Sequence, residues 1–377
     1  MARSTVFTRF IDSTYSPDQV AREIAILLEA FDLLRMFGGK SVLIKPNLCG
    51  EDGNANTDPR VIYGVVRAME KFAARLVVGD GAVIGTETTA VIERLGLPAL
   101  LASTKAELVD FKRGNYVETR FPGGVAVKKA MVAQAVLKAD AIVDIAKLKT
   151  HDATGVSLTI KNLKGMLHEY DNLRFHHVNL SDCLVDLAGA FRPTLSIVDG
   201  LIALDRYGPG DTPLGWIVAG EDMVAVDSVA ARGIGIEPAS IYSGTLNESH
   251  IKKASLRGLG EMVDIEVIGG SPDAQFTRPP ASLSQIEVPD GMEIIDGDPC
   301  AACIGMLGSV LQKLNMDGKP RGKTTILVGP KAPSPEKTMG RTIIIGNCLH
   351  RLESEGSTFI VGCPPNATYD VLPILES

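Results

Sequence analysis

The chain has 377 residues and a net charge of −7, with 38 Lys and Arg against 45 Asp and Glu. Its 45% hydrophobic and 22% charged residues are typical of a folded soluble protein and exclude a disordered tail, a fibrous repeat or a coiled coil. An acidic chain with 5% aromatic residues and no lysine or arginine run lacks the features of a nucleic-acid-binding protein.

The sequence also bears on location and redox environment. No apolar segment approaches the roughly 18 residues that indicate a membrane span, and no secretory signal follows the first residues. We therefore expect a cytoplasmic protein that does not enter a membrane. Six cysteines are too few for a disulfide scaffold in a chain of this length.

Helix and strand patterns alternate through the first 270 residues. Apolar spacing predicts the helices, and short apolar runs closed by Pro or Gly predict buried strands. The predicted helices cover 19–36, 58–74, 88–95 and 224–234, and the predicted strands cover 41–44, 76–78, 107–111, 141–145, 195–198 and 216–219. This alternation is typical of βαβ crossovers. We therefore expect an α/β domain over residues 1–270, with a mainly parallel sheet and helices on both faces.

The texture of the sequence changes after this domain. The next stretch is interrupted by Pro272, Pro279, Pro280, Pro289 and Pro299. Because helical periodicity is lost there, residues 271–299 are interpreted as a Pro-rich connection. A smaller α/β unit follows over residues 300–377, with a helix predicted over 304–314 and strands over 324–328, 342–345 and 358–361.

Four of the six cysteines lie in this C-terminal unit. Cys300 and Cys303 form a CxxC pair at the start of the predicted helix, where backbone N–H groups favour the thiolate. Cys348 and Cys363 follow two predicted strands, at the kind of sheet edge where α/β proteins bind ligands. The four thiols can therefore meet at one point, and we predict that they bind a metal centre.

The cysteine pattern leaves three interpretations open. The cysteines can be ordinary small hydrophobic residues. Structural zinc usually takes its thiolates from two short knuckles, and only one is present here. A single knuckle with two further ligands from separate strand ends favours a [4Fe–4S] cluster, so the cluster is our prediction and zinc is the alternative.

Polar residues follow the predicted strands of the larger domain. Because loops at the carboxyl edge of a parallel sheet lie together, these residues predict a cradle for a phosphate or a carboxylate. The candidate anion-binding residues are Lys45, Asn47, Lys147, Lys149, Lys161 and Asn162, and the candidate catalytic residues are His151, as a proton carrier, with Asp80 and Asp199. The alternative is that each lysine is a solvated surface charge and each aspartate caps a turn or a helix.

The same segments resemble a known family. Lys45-Pro46-Asn47, the block from Lys149 to Gly165, Ile197-Val198-Asp199-Gly200 and Ala225-Val226-Asp227 are similar to the domain of unknown function 362 family, over roughly residues 40–235. Many of its members are iron–sulfur proteins with a ferredoxin-like cysteine run. The resemblance implies iron–sulfur chemistry, although this chain has four dispersed cysteines and no CxxCxxCxxxCP run.

Together these features predict a cytoplasmic iron–sulfur redox protein. It would pass electrons through a [4Fe–4S] cluster to a small anionic molecule or to an electron-transfer protein, as an oxidoreductase or as the partner of one. The alternative is a non-redox enzyme or ligand-binding protein in which zinc stabilises the C-terminal unit. The apolar balance of the chain permits a homodimer.

Overall fold

Strands and helices alternate along the larger part of the chain, as the sequence predicts. The computed structural model describes residues 3–50, 53–240, 249–278, 280, 282–317, 322–335 and 340–376. The strands up to residue 270 are β1 (Thr5–Phe10), β2 (Ser41–Pro46), β3 (Arg75–Asp80), β4 (Ala106–Asp110), β5 (Tyr116–Arg120), β6 (Lys129–Ala133), β7 (Ala141–His151), β8 (Gly155–Ser157), β9 (Leu195–Asp205), β10 (Gly210–Thr212), β11 (Trp216–Gly220) and β12 (Glu266–Ile268).

Eleven helices of the described residues accompany these strands. They are α1 (Pro17–Leu28), α2 (Leu33–Phe37), α3 (Pro59–Met69), α4 (Thr88–Arg94), α5 (Leu97–Leu101), α6 (Gln134–Leu137), α7 (Thr159–Asn162), α8 (Glu169–Val178), α9 (Leu180–Ala190), α10 (Met223–Gly233) and α11 (His250–Leu256). The single helix predicted over 19–36 is broken in two. Helix α1 ends at Leu28, and α2 starts anew where the Asp32 side chain accepts a hydrogen bond from Arg35 N.

The main sheet is mostly parallel. Its strand order is β12-β1-β11-β9-β7-β2-β3-β4, and the run from β9 to β4 is parallel throughout. Strand β11 is antiparallel to both of its neighbours, while β8 and β10 extend β7 and β9 as short antiparallel additions. Strands β5 and β6 form a separate hairpin.

Apolar side chains alternate between the two faces of this sheet, so both faces need a cover. On one face Val42 and Ile44 pack in a cluster with residues of α1 and α3. On the other face Leu43 packs in a cluster with residues of α7, α9 and α10. The expected α/β domain with helices on both faces is therefore confirmed.

The C-terminal unit is a second, smaller parallel sheet. Its elements are β13 (Met292–Asp296), α12 (Ala301–Asp317), β14 (Thr324–Val328), β15 (Arg341–Ile345), β16 (Ser357–Ile360) and α13 (Leu372–Glu376), with the strands in the order β13-β14-β15-β16. Strand β13 lies inside residues 271–299, so part of the predicted connection belongs to this sheet. Of the prolines in that stretch, Pro279 lies outside the described residues.

A helix that spans a lipid bilayer needs about 20 mostly apolar residues. In the part of the chain that the structure describes, no helix combines the length and the apolar character that crossing a membrane requires.

Candidate functional site

Two lysines at the carboxyl edge of the main sheet point inward and pair with aspartates on neighbouring strands. Lys45 Nζ on β2 lies 2.8 Å from Asp80 Oδ1 on β3, and Lys147 Nζ on β7 lies 3.0 Å from Asp199 Oδ2 on β9. All four side chains are buried. Burial raises the pKa of the Asp80 carboxyl, and the Lys45 ammonium group offsets part of that rise. The two pairs place opposite charges together inside the sheet edge.

The same aspartates hold the loops that follow the strands. Asp80 Oδ2 accepts a hydrogen bond from Leu48 N at 2.8 Å. Asp199 accepts one from Asp58 N at 2.7 Å and one from Leu201 N at 2.9 Å. Both carboxylates therefore shape the edge of the sheet in addition to pairing with the lysines.

A chain of polar side chains runs along this edge. Lys149 Nζ donates to Asn47 Oδ1 and to Ala55 O, both at 2.8 Å. Asn47 Nδ2 donates to Asn162 Oδ1 at 2.9 Å, and Asn162 Nδ2 donates to Asp144 Oδ1 at 2.8 Å. These side-chain hydrogen bonds fix the Lys149 ammonium group and connect the loop after β2 to α7.

The N-terminus of helix α7 is held by a carboxyl group on α10. Asp227 on α10 accepts hydrogen bonds from Thr159 N at 2.8 Å and from Ile160 N at 3.0 Å, two donors that a helix start leaves without intrahelical partners. Burial raises the pKa of Asp227 to about 7, although these bonds act against the rise. The anchor places Lys161 at the sheet edge.

These elements enclose a cavity of about 300 Å³. Its cationic side chains are Lys149, Lys161, Lys164 and Arg206, and its carboxylates are Asp80 and Asp152. Since Asp80 is already paired with Lys45, positive charge is in excess. Across the ranges that the structure describes, the ammonium groups of Lys161 and Lys164 make no hydrogen bond or ion pair. Such a cavity suits an anion that can accept hydrogen bonds.

The crowded cations change the acidity of groups in the cavity wall. Burial and the nearby Lys149 lower the pKa of Lys161 to about 8. Burial lowers the pKa of Lys164 well below its usual range. Burial alone would raise the pKa of the Cys49 thiol, but Lys149, Lys161 and Arg206 outweigh it and the pKa is lowered. A bound anion would favour the ammonium form of both Lys161 and Lys164 and so raise their pKa values.

His151 lies in the same wall and is neutral at physiological pH. Burial, with a contribution from Lys161, lowers its pKa to about 3. Its Nδ1 atom lies 2.8 Å from Asp152 Oδ1 and 3.0 Å from Ala153 N. Because the ring is uncharged, the contact with Asp152 does not neutralise that carboxylate.

The four C-terminal cysteines converge at one end of the smaller sheet. Cys300 precedes α12 and its side chain hydrogen-bonds to that of Cys303. Cys348 Sγ and Cys303 Sγ lie 3.7 and 3.9 Å from the point that a Cβ would take at Gly346, and the carbonyl oxygen preceding Cys363 lies 3.7 Å from it. All of these thiols are free. In the described residues no group of three His, Cys, Asp or Glu side chains is arranged to hold a single metal ion.

The electrostatics of the cysteines reflect their proximity. Hydrogen bonds from Cys303 and from backbone N–H groups lower the pKa of Cys300 to about 6. The hydrogen bond to Cys300, burial, and the charges of Cys348 and Cys363 raise the pKa of Cys303. Burial and the other thiolates raise the pKa of Cys363 to about 12. The raised pKa values keep Cys303, Cys348 and Cys363 in the thiol form, and ionising all four side chains together would require a nearby positive charge.

The cysteines adjoin the cavity. Met306, one helical turn after Cys303 on α12, lines the cavity, and so do residues 365–369, which begin two positions after Cys363. Cys363 N donates to His176 O at 2.7 Å, and the His176 side chain lies in the cavity wall. The two candidate sites are therefore neighbours across the contact between the larger domain and the C-terminal unit.

The structure places the predicted site residues in three groups. Six of them line the cavity, namely Asn47, Asp80, Lys149, His151, Lys161 and Asn162. Lys45, Lys147 and Asp199 lie behind the wall in the two ion pairs. The cysteines Cys300, Cys303, Cys348 and Cys363 form the separate cluster beside it. Their roles as ligands and catalysts stay predictions.

The cavity wall also contains residues that the sequence analysis did not name as site residues, among them Lys164, Arg206, Cys49 and His176. Lys164 follows Lys161 by three positions, so its helical spacing is a signal that the sequence does carry. Arg206 follows the long strand β9 at the same sheet edge. Cys49 and His176 have no comparable signal, because their place in the wall depends on how loops and the C-terminal unit pack.

Fold and site together define a two-unit α/β protein with a cation-rich cavity at the carboxyl edge of its main sheet. The chain belongs to the family described as Domain of unknown function (DUF362), whose model matches residues 42–232. The matched segment runs from β2 to α10 and includes the cavity residues Asn47, Lys149, Lys161, Asn162 and Lys164. The four clustered cysteines lie outside it.

The chain is similar in sequence to a curated protein and, more weakly, in fold to two solved structures. The thylakoid-associated protein sll1697 of Synechocystis sp. is 26% identical over 242 residues, which cover 60% of this chain and 74% of the relative. The lactate racemase apoprotein of Thermoanaerobacterium thermosaccharolyticum is 13% identical with a TM-score of 0.40, covering 99% of this chain and 89% of that one. A protein from Thermotoga maritima is 12% identical with a TM-score of 0.29, covering 54% and 55%.

Proposed function

We propose that this protein is a cytoplasmic iron–sulfur redox protein that acts on a small anion. In this proposal Cys300, Cys303, Cys348 and Cys363 hold a [4Fe–4S] cluster, and the adjoining cavity binds the anion. The observation that carries the proposal is that the cysteine cluster and the cavity adjoin, since α12 and the segment around Cys363 contribute residues to both of them.

The donor set fits such a cluster. Four cysteine thiolates are the usual ligands of a [4Fe–4S] cluster, and the positive charge of iron would offset the cost of ionising four neighbouring thiols. When bound, the cluster supplies one-electron transfer. Cys300, Cys348 and Cys363 are partly exposed, so an electron-transfer protein could approach this end of the smaller sheet.

The cavity residues would bind and orient the anion. Lys149 is held in place by Asn47 and Ala55, so it can meet a phosphate or carboxylate with little loss of conformational entropy. Lys161 and Lys164 would supply the unpaired charges. Lys161, with a pKa of about 8, is the cavity group best placed to exchange a proton near neutral pH.

Purification without oxygen, followed by iron, sulfide and zinc analysis, tests the proposal. We expect about four iron and four sulfide per chain and a visible absorption band. Cys348→Ser and Cys363→Ser should lose the iron, whereas Cys183→Ser, which removes a buried cysteine of the larger domain, should keep it. Stoichiometric zinc without sulfide would replace the redox proposal with a structural one, and a metal-free chain would end both.

A further inference from the structure

Lys161 combines a fixed backbone with an ammonium group that has no partner in the described part of the chain. Its helix is anchored by Asp227, yet its Nζ has no hydrogen-bond or ion-pair partner among the described residues. It lines the cavity together with Lys149, Lys164 and Arg206. A lysine that is needed only for stability would be paired or would extend into solvent.

The surroundings of Lys161 favour the neutral amine, which is the nucleophilic form of lysine. Burial and nearby cations lower its pKa to about 8, as is typical of lysines that react with carbonyl compounds. The charged or titratable groups that act on it are Lys149, Arg206, Cys49 and Asp152. Lys164 is the more deeply buried of the two lysines, and burial followed by the charge of Lys161 lowers its pKa.

We propose that Lys161 forms an imine with the carbonyl carbon of a small α-keto acid held in the cavity. The carboxylate of the keto acid would lie against Lys149, Lys164 and Arg206, which leaves the adjacent carbonyl group near Lys161. This imine rests on the proposed function in one respect, because both require that the cavity binds an anion. It does not depend on the iron–sulfur cluster.

The step balances without an oxidant or a reductant. The Lys161 nitrogen forms a bond to the carbonyl carbon, and the carbon–oxygen bond breaks. Both hydrogens of the neutral amine leave with the carbonyl oxygen as one molecule of water. A cavity of about 300 Å³ has room for a keto acid of a few carbon atoms.

The test is reductive trapping of the intact protein with pyruvate and sodium cyanoborohydride, followed by peptide mass mapping. We expect one reduced pyruvate adduct, on Lys161, formed about tenfold faster than any adduct of the exposed Lys331. Acetone, which has the carbonyl but lacks the carboxylate, should label Lys161 about tenfold more slowly than pyruvate. The labelling rate should rise from pH 6 to 9 as the amine loses its proton.

Two matched variants keep the test decisive. Lys161→Arg keeps the positive charge but cannot form the imine, so labelling should disappear while phosphate still protects the protein against thermal unfolding. Lys331→Arg, at an exposed lysine outside the cavity, should still be labelled at Lys161. Labelling of Lys164 in preference to Lys161, or equal rates with pyruvate and acetone, would overturn the proposal.

The outcome is separable from that of the proposed function. A trapped Lys161 in a protein without iron would support the imine and reject the redox role. An iron–sulfur protein that cannot be trapped at Lys161 would give the reverse result. Loss of both trapping and phosphate protection would reject the anion cavity, and the imine with it.

Discussion

A lysine on a buried strand can extend to solvent or turn towards a carboxylate, and Lys45 and Lys147 both turn towards one. Each is buried against an aspartate of an adjacent parallel strand. Removing one member of such a pair leaves an uncompensated charge, which typically costs about 3–5 kcal/mol. These pairs therefore have a structural role at the edge of the site, whatever ligand the cavity binds.

Gly165 is required by the Lys45–Asp80 pair. A Cβ at this position would lie 2.0 Å from Asp80 Oδ1 and 3.0 Å from Lys45 Nζ. We expect Gly165→Ala to lower the free energy of unfolding by about 3 kcal/mol or more, because the pair must separate inside the protein. Urea unfolding measures this, with Gly53→Ala, where a Cβ meets open space, as the control. Equal stability of the two variants would contradict the packing described.

Asp227 predicts a pH dependence of stability. Its pKa is about 7 in the folded protein and near 3.8 in the unfolded chain, so between these values the folded state binds more protons. The free energy of unfolding should therefore fall as pH rises from 4 to 7, by at most about 4 kcal/mol from this residue.

The measurement is urea unfolding at intervals between pH 4 and pH 8. Asp227→Asn cannot titrate, so the part of the slope that this residue causes should disappear in the variant. Asp298→Asn, at an exposed residue, serves as the control and should leave the slope unchanged. A slope that is identical in all three proteins would rule out the raised pKa.

At the scale of elements, the contact between α8, α9 and the C-terminal unit decides whether the cavity is closed. Backbone hydrogen bonds run both ways at Cys363, from its N to His176 O and from Leu180 N to its carbonyl oxygen. Asn347 Nδ2 donates to His177 O at 2.8 Å, and Asn347 Oδ1 accepts from Gly362 N at 2.7 Å. One asparagine thus joins the loop before Cys363 to the end of α8.

Asn347→Ala should loosen this contact. We expect faster amide hydrogen exchange over residues 362–369, by about tenfold or more, because three side-chain hydrogen bonds of about 1 kcal/mol each are lost. Hydrogen-exchange mass spectrometry gives the result for each peptide. Asn315→Ala removes a single bond to Glu287 O elsewhere in the C-terminal unit and should not affect these residues. Unchanged exchange in the Asn347 variant would show that the backbone bonds alone fix the contact.

Sequence patterns predict some elements well and others poorly, for physical reasons. The apolar run 141–145 correctly indicates β7, but the strand continues to His151 because Lys147 is buried against Asp199 of β9 and Lys149 is buried against Asn47 and Ala55 of the segment after β2. Strand β13 was missed because it is short and partly exposed and lies among prolines. Which aspartate meets which lysine depends on strand order, which no local pattern contains.

At the scale of the whole molecule, the cavity has walls from both units, and its unpaired cations destabilise the folded state until an anion binds. Inorganic phosphate should therefore stabilise the protein more than chloride does at equal ionic strength. At about one hundred times Kd the free energy of unfolding would rise by about 2.7 kcal/mol. Thermal unfolding with each salt measures the difference.

Matched lysine variants identify the source of this stabilisation. Lys161→Gln should reduce the effect of phosphate, whereas Lys331→Gln, at an exposed lysine outside the cavity, should not. If phosphate and chloride stabilise the protein equally, the cavity does not bind phosphate.

His176 touches both halves of the molecule: its carbonyl oxygen receives the Cys363 amide, and its imidazole stands in the cavity wall. A shift of the sulfur-bearing loop would be transmitted to the imidazole through a single residue. If a ligand in the cavity changes the free energy of a reaction at the thiols, that reaction must change the binding free energy of the ligand by the same amount. The oxidation state at the cysteines and the occupancy of the cavity would thus be coupled through His176, without a movement of one unit against the other.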